Sequence, residues 1–159
     1  MRFLICICFI LAGCAQGVDK NPYVSKIQNW QFREAQCPPT TLPVFKHNNF
    51  HTTICDFVYR LPKWTYKKDT VDYWQTSRES VINPIGDCED QAIRTYRAIL
   101  DSFQDYDIDV RLRVIDRIYD HHMIVIVYHN STAYQIDACH ISYEQNYDII
   151  VEFDISYIF

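Results

Sequence analysis

The stretch HMIVIVYH (122–129) constrains the fold more than any other part of this chain. Its nearly unbroken apolar run of β-branched residues reads as a strand buried on both faces, which needs partner strands beside it and packed layers around it. Asn130-Ser131 follows as a tight-turn pair, and TAYQID (132–137) returns as the antiparallel partner. IDVRLRVI (108–115) alternates apolar and polar residues as a half-buried strand does, and the tail IIVEFDISYIF (149–159) also reads as strand. Ahead of these strands, Ala92, Ile93, Tyr96, Ile99, Leu100 and Phe103 fall on one apolar helical face. Asn83-Pro84-Ile85-Gly86 breaks the chain before that helix, Asp87 is its expected N-cap, and Asp90 three residues on is a short capping-box analogue. Cys88 therefore falls in the first helical turn. Helices followed by an antiparallel sheet give the α+β class, with a central helix packed on the sheet.

The remaining organisation is simple. The stretch VSKIQNWQFREAQ (24–36) carries a weak helical stripe in Ile27, Trp30 and Ala35, and CPPTTLP (37–43) is too rich in proline for helix or central strand. Residues 50–68 read as mostly irregular. Val71, Trp74 and Val81 sit at roughly helical spacing, so a further helix is expected ahead of Asn83. No repeat or low-complexity tract interrupts 23–159, which reads as one domain.

Composition narrows the function. The 159 residues are 48% apolar, sufficient for one core of ordinary size. A formal charge of −5 and the lack of any basic stripe argue against a nucleic-acid partner. With 12 Tyr, 9 Phe and 3 Gly, the chain is expected to be folded and compact.

The first residues have another role. Met1-Arg2 and the apolar run FLICICFILA, too short to span a bilayer, end in Leu11-Ala12-Gly13-Cys14. This resembles the bacterial lipoprotein signal. The resemblance implies a signal peptide over 1–13, diacylation of Cys14, and a lipidated tether over 14–22. Acyl chains would hold the domain at a membrane, each buried CH₂ contributing about 0.8 kcal/mol. Ala15 after the cysteine, by resemblance to enterobacterial sorting, points to the outer membrane, with the domain facing the periplasm. Of seven cysteines, Cys6 and Cys8 leave with the signal and Cys14 is lipidated. Cys37, Cys55, Cys88 and Cys139 remain in an oxidising compartment. Their pairing is open in the sequence. A Cys37–Cys55 disulfide is the simplest arrangement if Cys88 stays free, and four buried unpaired thiols is the alternative.

Chemistry converges on one constellation. With Asn130-Ser131 as a two-residue hairpin, His129 opposes Thr132 and Ile124 opposes Asp137. His122 then shares a face with Asp137 as a diagonal neighbour, about 7 Å away at Cα, while His121 points to the other face. A register slip of one residue would remove this pair. A thiol at a helix N-terminus, an imidazole and an orienting carboxylate are the parts of a cysteine-nucleophile triad. The Cys88 backbone N–H is a candidate oxyanion donor.

WQTSRESVINPIGDCEDQAIRTYRAIL, then HHMIVIV, then YQIDA, resembles the bacterial transglutaminase-like cysteine proteinases. The match covers roughly residues 70–140, and Gly86-Asp87-Cys88-Glu89-Asp90 is its most specific element. The resemblance implies a papain-like scheme in which Cys88 is the nucleophile, His122 the general base and acid, and Asp137 the orienting carboxylate. It also implies calcium, held by Asp87 and Glu89, and a protein substrate in the cell envelope. Gln91 departs from the pattern, standing where family members often show an aromatic residue.

The calcium expectation has a local reason as well. Carboxylates beside a thiol oppose its ionisation, and a hard cation taking their oxygens would offset that charge. The same acids also suit a helix N-terminus facing water. Three other functions compete: a non-catalytic lipoprotein binding a protein partner on this scaffold, an acyl transferase of transglutaminase type, and a zinc site drawn from His121, His122, Cys139 and His140.

Overall fold

The computed structural model describes residues 21–70, 73–117, 120–138 and 140–154. The signal segment, Cys6, Cys8, Cys14, Cys139 and the last residues of the C-terminal strand pattern lie outside the described residues. Among the described residues four helices, α1 (Val24–Glu34), α2 (Phe50–Tyr59), α3 (Ser77–Ile82) and α4 (Cys88–Ser102), accompany seven strands. These are β1 (Thr65–Tyr66), β2 (Ile85–Gly86), β3 (Ile108–Asp116), β4 (His121–His129), β5 (Thr132–Asp137), β6 (His140–Tyr143) and β7 (Ile149–Phe153). Mixed α and β content with an antiparallel main sheet agrees with the sequence. Among the described residues, no helix is long and apolar enough to cross a membrane.

The main sheet has the order β6-β5-β4-β3-β7, with every neighbouring pair antiparallel. The HMIVIVYH strand lies at its centre. Met123, Val125 and Val127 of β4 join Val110, Leu112 and Val114 of β3 in the core, against which α4 lays Ile93, Tyr96 and Ile99. Ile115, Ile124 and Ile126 form a second buried cluster on the far face, beneath Tyr128, Ala133 and Tyr147. Arg113 on that face is 3% exposed, a burial tolerated because Glu152 (Nε to Oε2, 2.6 Å), Tyr128 (2.8 Å) and Glu144 occupy its fork.

Two segments differ from the sequence expectation. Residues 50–59 form α2 rather than irregular chain. Asn49 accepts from the Thr52 N–H at 2.8 Å, and Phe50, Ile54, Phe57 and Val58 make a buried helical stripe. The β-branched pair Thr52-Thr53 hides this pattern locally, and packing against the core overrides it. The helix expected over the Val71–Val81 region is confined among described residues to α3, because Thr76 and Glu79 close a capping box that starts the helix there. Trp74 thus precedes the helix as buried core, and Val81 is exposed. Glu34, wholly buried at the end of α1, accepts from the Ser77 N–H at 2.7 Å and from its hydroxyl, docking α1 onto α3.

Cys37 and Cys55 do not form the expected disulfide; both are free thiols. Each turns back on its own chain, Cys37 Sγ toward the Arg33 carbonyl and Cys55 Sγ toward His51 Nε2, both at 3.7 Å.

Candidate active site

The β4–β5 hairpin has the register expected of a two-residue turn, with His129 opposite Thr132 and Val125 opposite Ile136. Asn130 takes φ 53°, a left-handed value that asparagine tolerates through local side-chain hydrogen bonding. This register puts His122 and Asp137 on one face, and His122 Nε2 lies 2.8 Å from Asp137 Oδ1. A carboxylate can only accept here, so Nε2 carries the proton and Nδ1 is left as the basic nitrogen. Arg117 donates to the other oxygen, Asp137 Oδ2, at 2.7 Å. The His122 hydrogen bond and charge, together with Arg117, outweigh burial and hold the Asp137 carboxyl below its ordinary pKa. His121 points to the opposite face, where its Nδ1 meets the Tyr23 hydroxyl. That divergence removes the zinc cluster. Among the described residues no group of three or more His, Cys, Asp or Glu side chains is arranged around a metal.

Cys88 is the first residue of α4 and half-buried. Asp87 occupies the N-cap position, but its side chain makes no capping bond. Asp90, wholly buried, accepts from the Gln75 backbone N–H at 2.7 Å and from Gln75 Nε2 at 3.0 Å, and also from the Asp87 backbone at the helix start. Asp90 therefore ties the 73–76 segment to the start of α4. Burial is the main reason its carboxyl is pushed up to about 7. Gly86 is required by the same arrangement, since a Cβ there would lie 2.1 Å from Asp90 Oδ2.

The ladder between β4 and β5 begins at Val125, leaving the first residues of β4 without a β5 partner. The first turn of α4 lies beside this part of β4. The Met123 backbone hydrogen-bonds the Cys88 thiol and favours its ionised form. Met123 is the immediate neighbour of His122, so the thiol lies beside the start of the strand that carries the imidazole. The thiol proton itself goes elsewhere, because Cys88 Sγ donates to Glu89 Oε2 at 2.9 Å. Burial first, then the Glu89 charge and hydrogen bond, push the Cys88 thiol up to about 12. Glu89 is in turn pushed up to about 7 by burial and by its hydrogen bond and charge interaction with Asp87.

Asp87 and Glu89 converge as hard oxygen donors of the type calcium prefers, and their mutual repulsion is what a cation relieves. The pair fits one side of a calcium shell. Two carboxylates do not by themselves supply the six to eight oxygens such an ion takes.

Tyr66 and Arg117 carry no local sequence signal. Tyr66 pairs with Gly86 in the short parallel β1–β2 ladder, and its hydroxyl is pushed up by burial and then by Cys88, Asp87 and Glu89. It therefore stands within electrostatic reach of the thiol. Trp64 Nε1 donates to the Gly86 carbonyl at 3.3 Å and steadies the same loop. A two-residue strand in KWTYKKD has no periodicity to read, so only its pairing with residues 85–86 reveals it.

No family model and no curated protein matches this sequence. Solved structures of LapG from Legionella pneumophila align with it at 21% identity and a TM-score of 0.49, covering 64% of this chain. One is calcium-bound and one EGTA-treated, and the alignment covers 61% and 60% of those chains respectively. The chain thus spans less than two thirds of their length. A likeness of this degree leaves activity, substrate and partners to the residues themselves.

Proposed function

We propose that this protein is a thiol hydrolase, a cysteine peptidase of the transglutaminase-like, papain-like kind, acting on a protein of the bacterial envelope. In this reading Cys14 carries the lipid, and the domain faces the periplasm from the outer membrane. The observation that carries the activity is the 2.8 Å bond from His122 to Asp137 on the strand whose next residue, Met123, hydrogen-bonds the Cys88 thiol at the helix start.

Chemistry follows from the tautomer. Asp137 holds the Nε2 proton, so Nδ1 is free to take the Cys88 proton and leave a thiolate paired with imidazolium. The thiolate attacks the peptide carbonyl carbon, and its C–N bond breaks as His122 returns the proton to the leaving amine. Water, deprotonated by His122, then attacks the thioester and releases the acid and the free thiol. An amine in place of water at the second step would make the reaction an acyl transfer. The Cys88 backbone N–H and the Tyr66 hydroxyl are the proposed oxyanion donors.

Glu89 opposes the first step by holding the thiol proton. Asp87 and Glu89 would be the residues that hold calcium, and a bound calcium ion would supply the positive charge that draws Glu89 off the thiol. The Cys88–Glu89 bond also favours a second reading, a lipoprotein that binds a protein partner with an inert thiol.

Alkylation by iodoacetamide at neutral pH, located by mass spectrometry, separates the two. A reactive nucleophile labels Cys88 faster than the free thiols Cys37 and Cys55 when calcium is present, and His122→Ala slows it. Labelling of Cys88 no faster than Cys37 and Cys55, with or without calcium, would sink the peptidase reading.

A further inference from the structure

Beside α4 lies a cavity of about 880 Å³, walled by the end of α2, the 61–64 loop, Gln91, Arg94 and Thr95 of α4, and Ala138 and His140 past the β5 end. Two of these wall residues adjoin the candidate active site along the chain: Ala138 directly follows Asp137, and Gln91 lies one helical turn from Cys88. A smaller cavity of about 220 Å³ shares Leu61, Pro62, Lys63 and Arg94 with it. Neither wall contains an aspartate or glutamate, in a chain that has 20 of them and a net charge of −5.

Arg94 is the conspicuous member. Arg33, Arg97, Arg111 and Arg113, all wholly or partly withdrawn from solvent, each hold a carboxylate. Arg94 is also half-buried, yet among the described residues it has no carboxylate partner. Its contact is the face of Trp64, 5.5 Å from guanidinium to ring centre. Burial alone lowers its pKa, with no acid offsetting the cost. A guanidinium drawn out of water without an anion is an unfilled half of a pair, and its planar fork suits a carboxylate. The stacked Trp64 ring restricts the side chain, so less freedom is lost when a carboxylate arrives.

We propose that this groove selects peptides bearing an acidic side chain, with Arg94 as the specificity-determining residue and Lys63 as a second positive charge on the same wall. The proposal rests on the peptidase reading and names the substrate class for that site. Arg94 lies six residues beyond Cys88, about 9 Å along the helix axis at 1.5 Å per residue. An extended peptide advances about 3.3 Å per residue, so the selected Glu or Asp falls roughly three residues from the scissile bond.

Binding to the Cys88→Ser protein tests this at equilibrium. The probes are fluorescent octapeptide pools of Ala, Gly, Ser and Thr carrying one Glu, or in the matched pools one Gln, at each position in turn. We expect one Glu position to bind about tenfold more tightly than its Gln counterpart, equivalent to about 1.4 kcal/mol. Arg94→Gln should bring the Glu pool to the affinity of its Gln counterpart, and Arg94→Lys should retain part of the preference. A merely structural role for Arg94 would not move the Glu-to-Gln ratio. Equal binding of both pools, a preference that survives Arg94→Gln, or no binding of either pool would overturn the proposal. Cys88 alkylation in the wild-type protein is read separately. A reactive thiol without acid preference rejects the groove alone, whereas acid preference beside an inert thiol supports the groove and rejects the peptidase.

Discussion

His122 and Asp137 are joined Nε2 to Oδ1 at 2.8 Å although they are not directly opposed in the ladder. Extending the register from Val125–Ile136 sets Ile124 opposite Asp137, and His122 reaches it along the diagonal. The bond selects one imidazole tautomer, and Arg117 at 2.7 Å holds the carboxylate from its other side.

Replacing Asp137 by Asn should therefore cost far more activity than stability. An amide can donate to Nε2 and favour the wrong tautomer, so turnover should fall on the order of 10³-fold or more. Circular dichroism should show an intact fold, and a variant with near wild-type turnover would reject the orienting role.

Acid should weaken the folded state through the same residue. The Asp137 pKa is lower when folded than when unfolded, so the unfolded chain binds the proton more readily. Its stabilisation is fully present above the unfolded value of about 4 and is lost as pH falls through the lower folded value. Denaturant melts between about pH 6 and pH 2 should show a smaller loss of stability in Asp137→Asn than in wild type. Parallel curves would contradict this.

Calcium should speed Cys88 alkylation about tenfold at neutral pH, and chelation should reverse it. The paired change Asp87→Asn with Glu89→Gln should abolish the response. Calcium acceleration persisting in that variant would place the ion elsewhere.

Removing the Tyr66 hydroxyl with Phe should lower kcat about 10²-fold with little change in KM, the pattern of a group acting on the transition state. An unchanged kcat would leave the hydroxyl with no part in the chemistry.

Gly86→Ala should lower stability by about 2 kcal/mol, because the new methyl group meets the buried Asp90 carboxylate. A thermal melt should register this as a drop of roughly 6 °C. Asp90→Ala combined with Gly86→Ala should cost less than the sum of the two single changes, since the clash needs both groups. Strict additivity would locate the effect elsewhere.

Much of this architecture was legible because its signals are local. The apolar run at 122–129 with its Asn130-Ser131 turn set a register, and that register alone placed His122 and Asp137 on one face. The apolar stripe from Ala92 to Phe103, preceded by a Pro-Gly break, placed Cys88 at a helix start. The α2 helix was obscured because its β-branched residues disguise a stripe that only the core rewards. The α3 boundary shifted because a capping box at Thr76 outweighs the apolar spacing around Trp74.

The set of elements and the pairing of neighbours along the chain follow from periodicity and turn chemistry, which are local. The direction in which the acids around Cys88 face came instead from packing between distant segments, which the tertiary structure sets. Asp90 turned inward to Gln75, and Glu89 turned to the thiol. The tertiary structure also set Tyr66 beside the helix start through a two-residue ladder and, among the described residues, left Arg94 without a carboxylate partner. These are outcomes of burial and of long-range electrostatic pairing, which depend on distances between segments that no local pattern encodes.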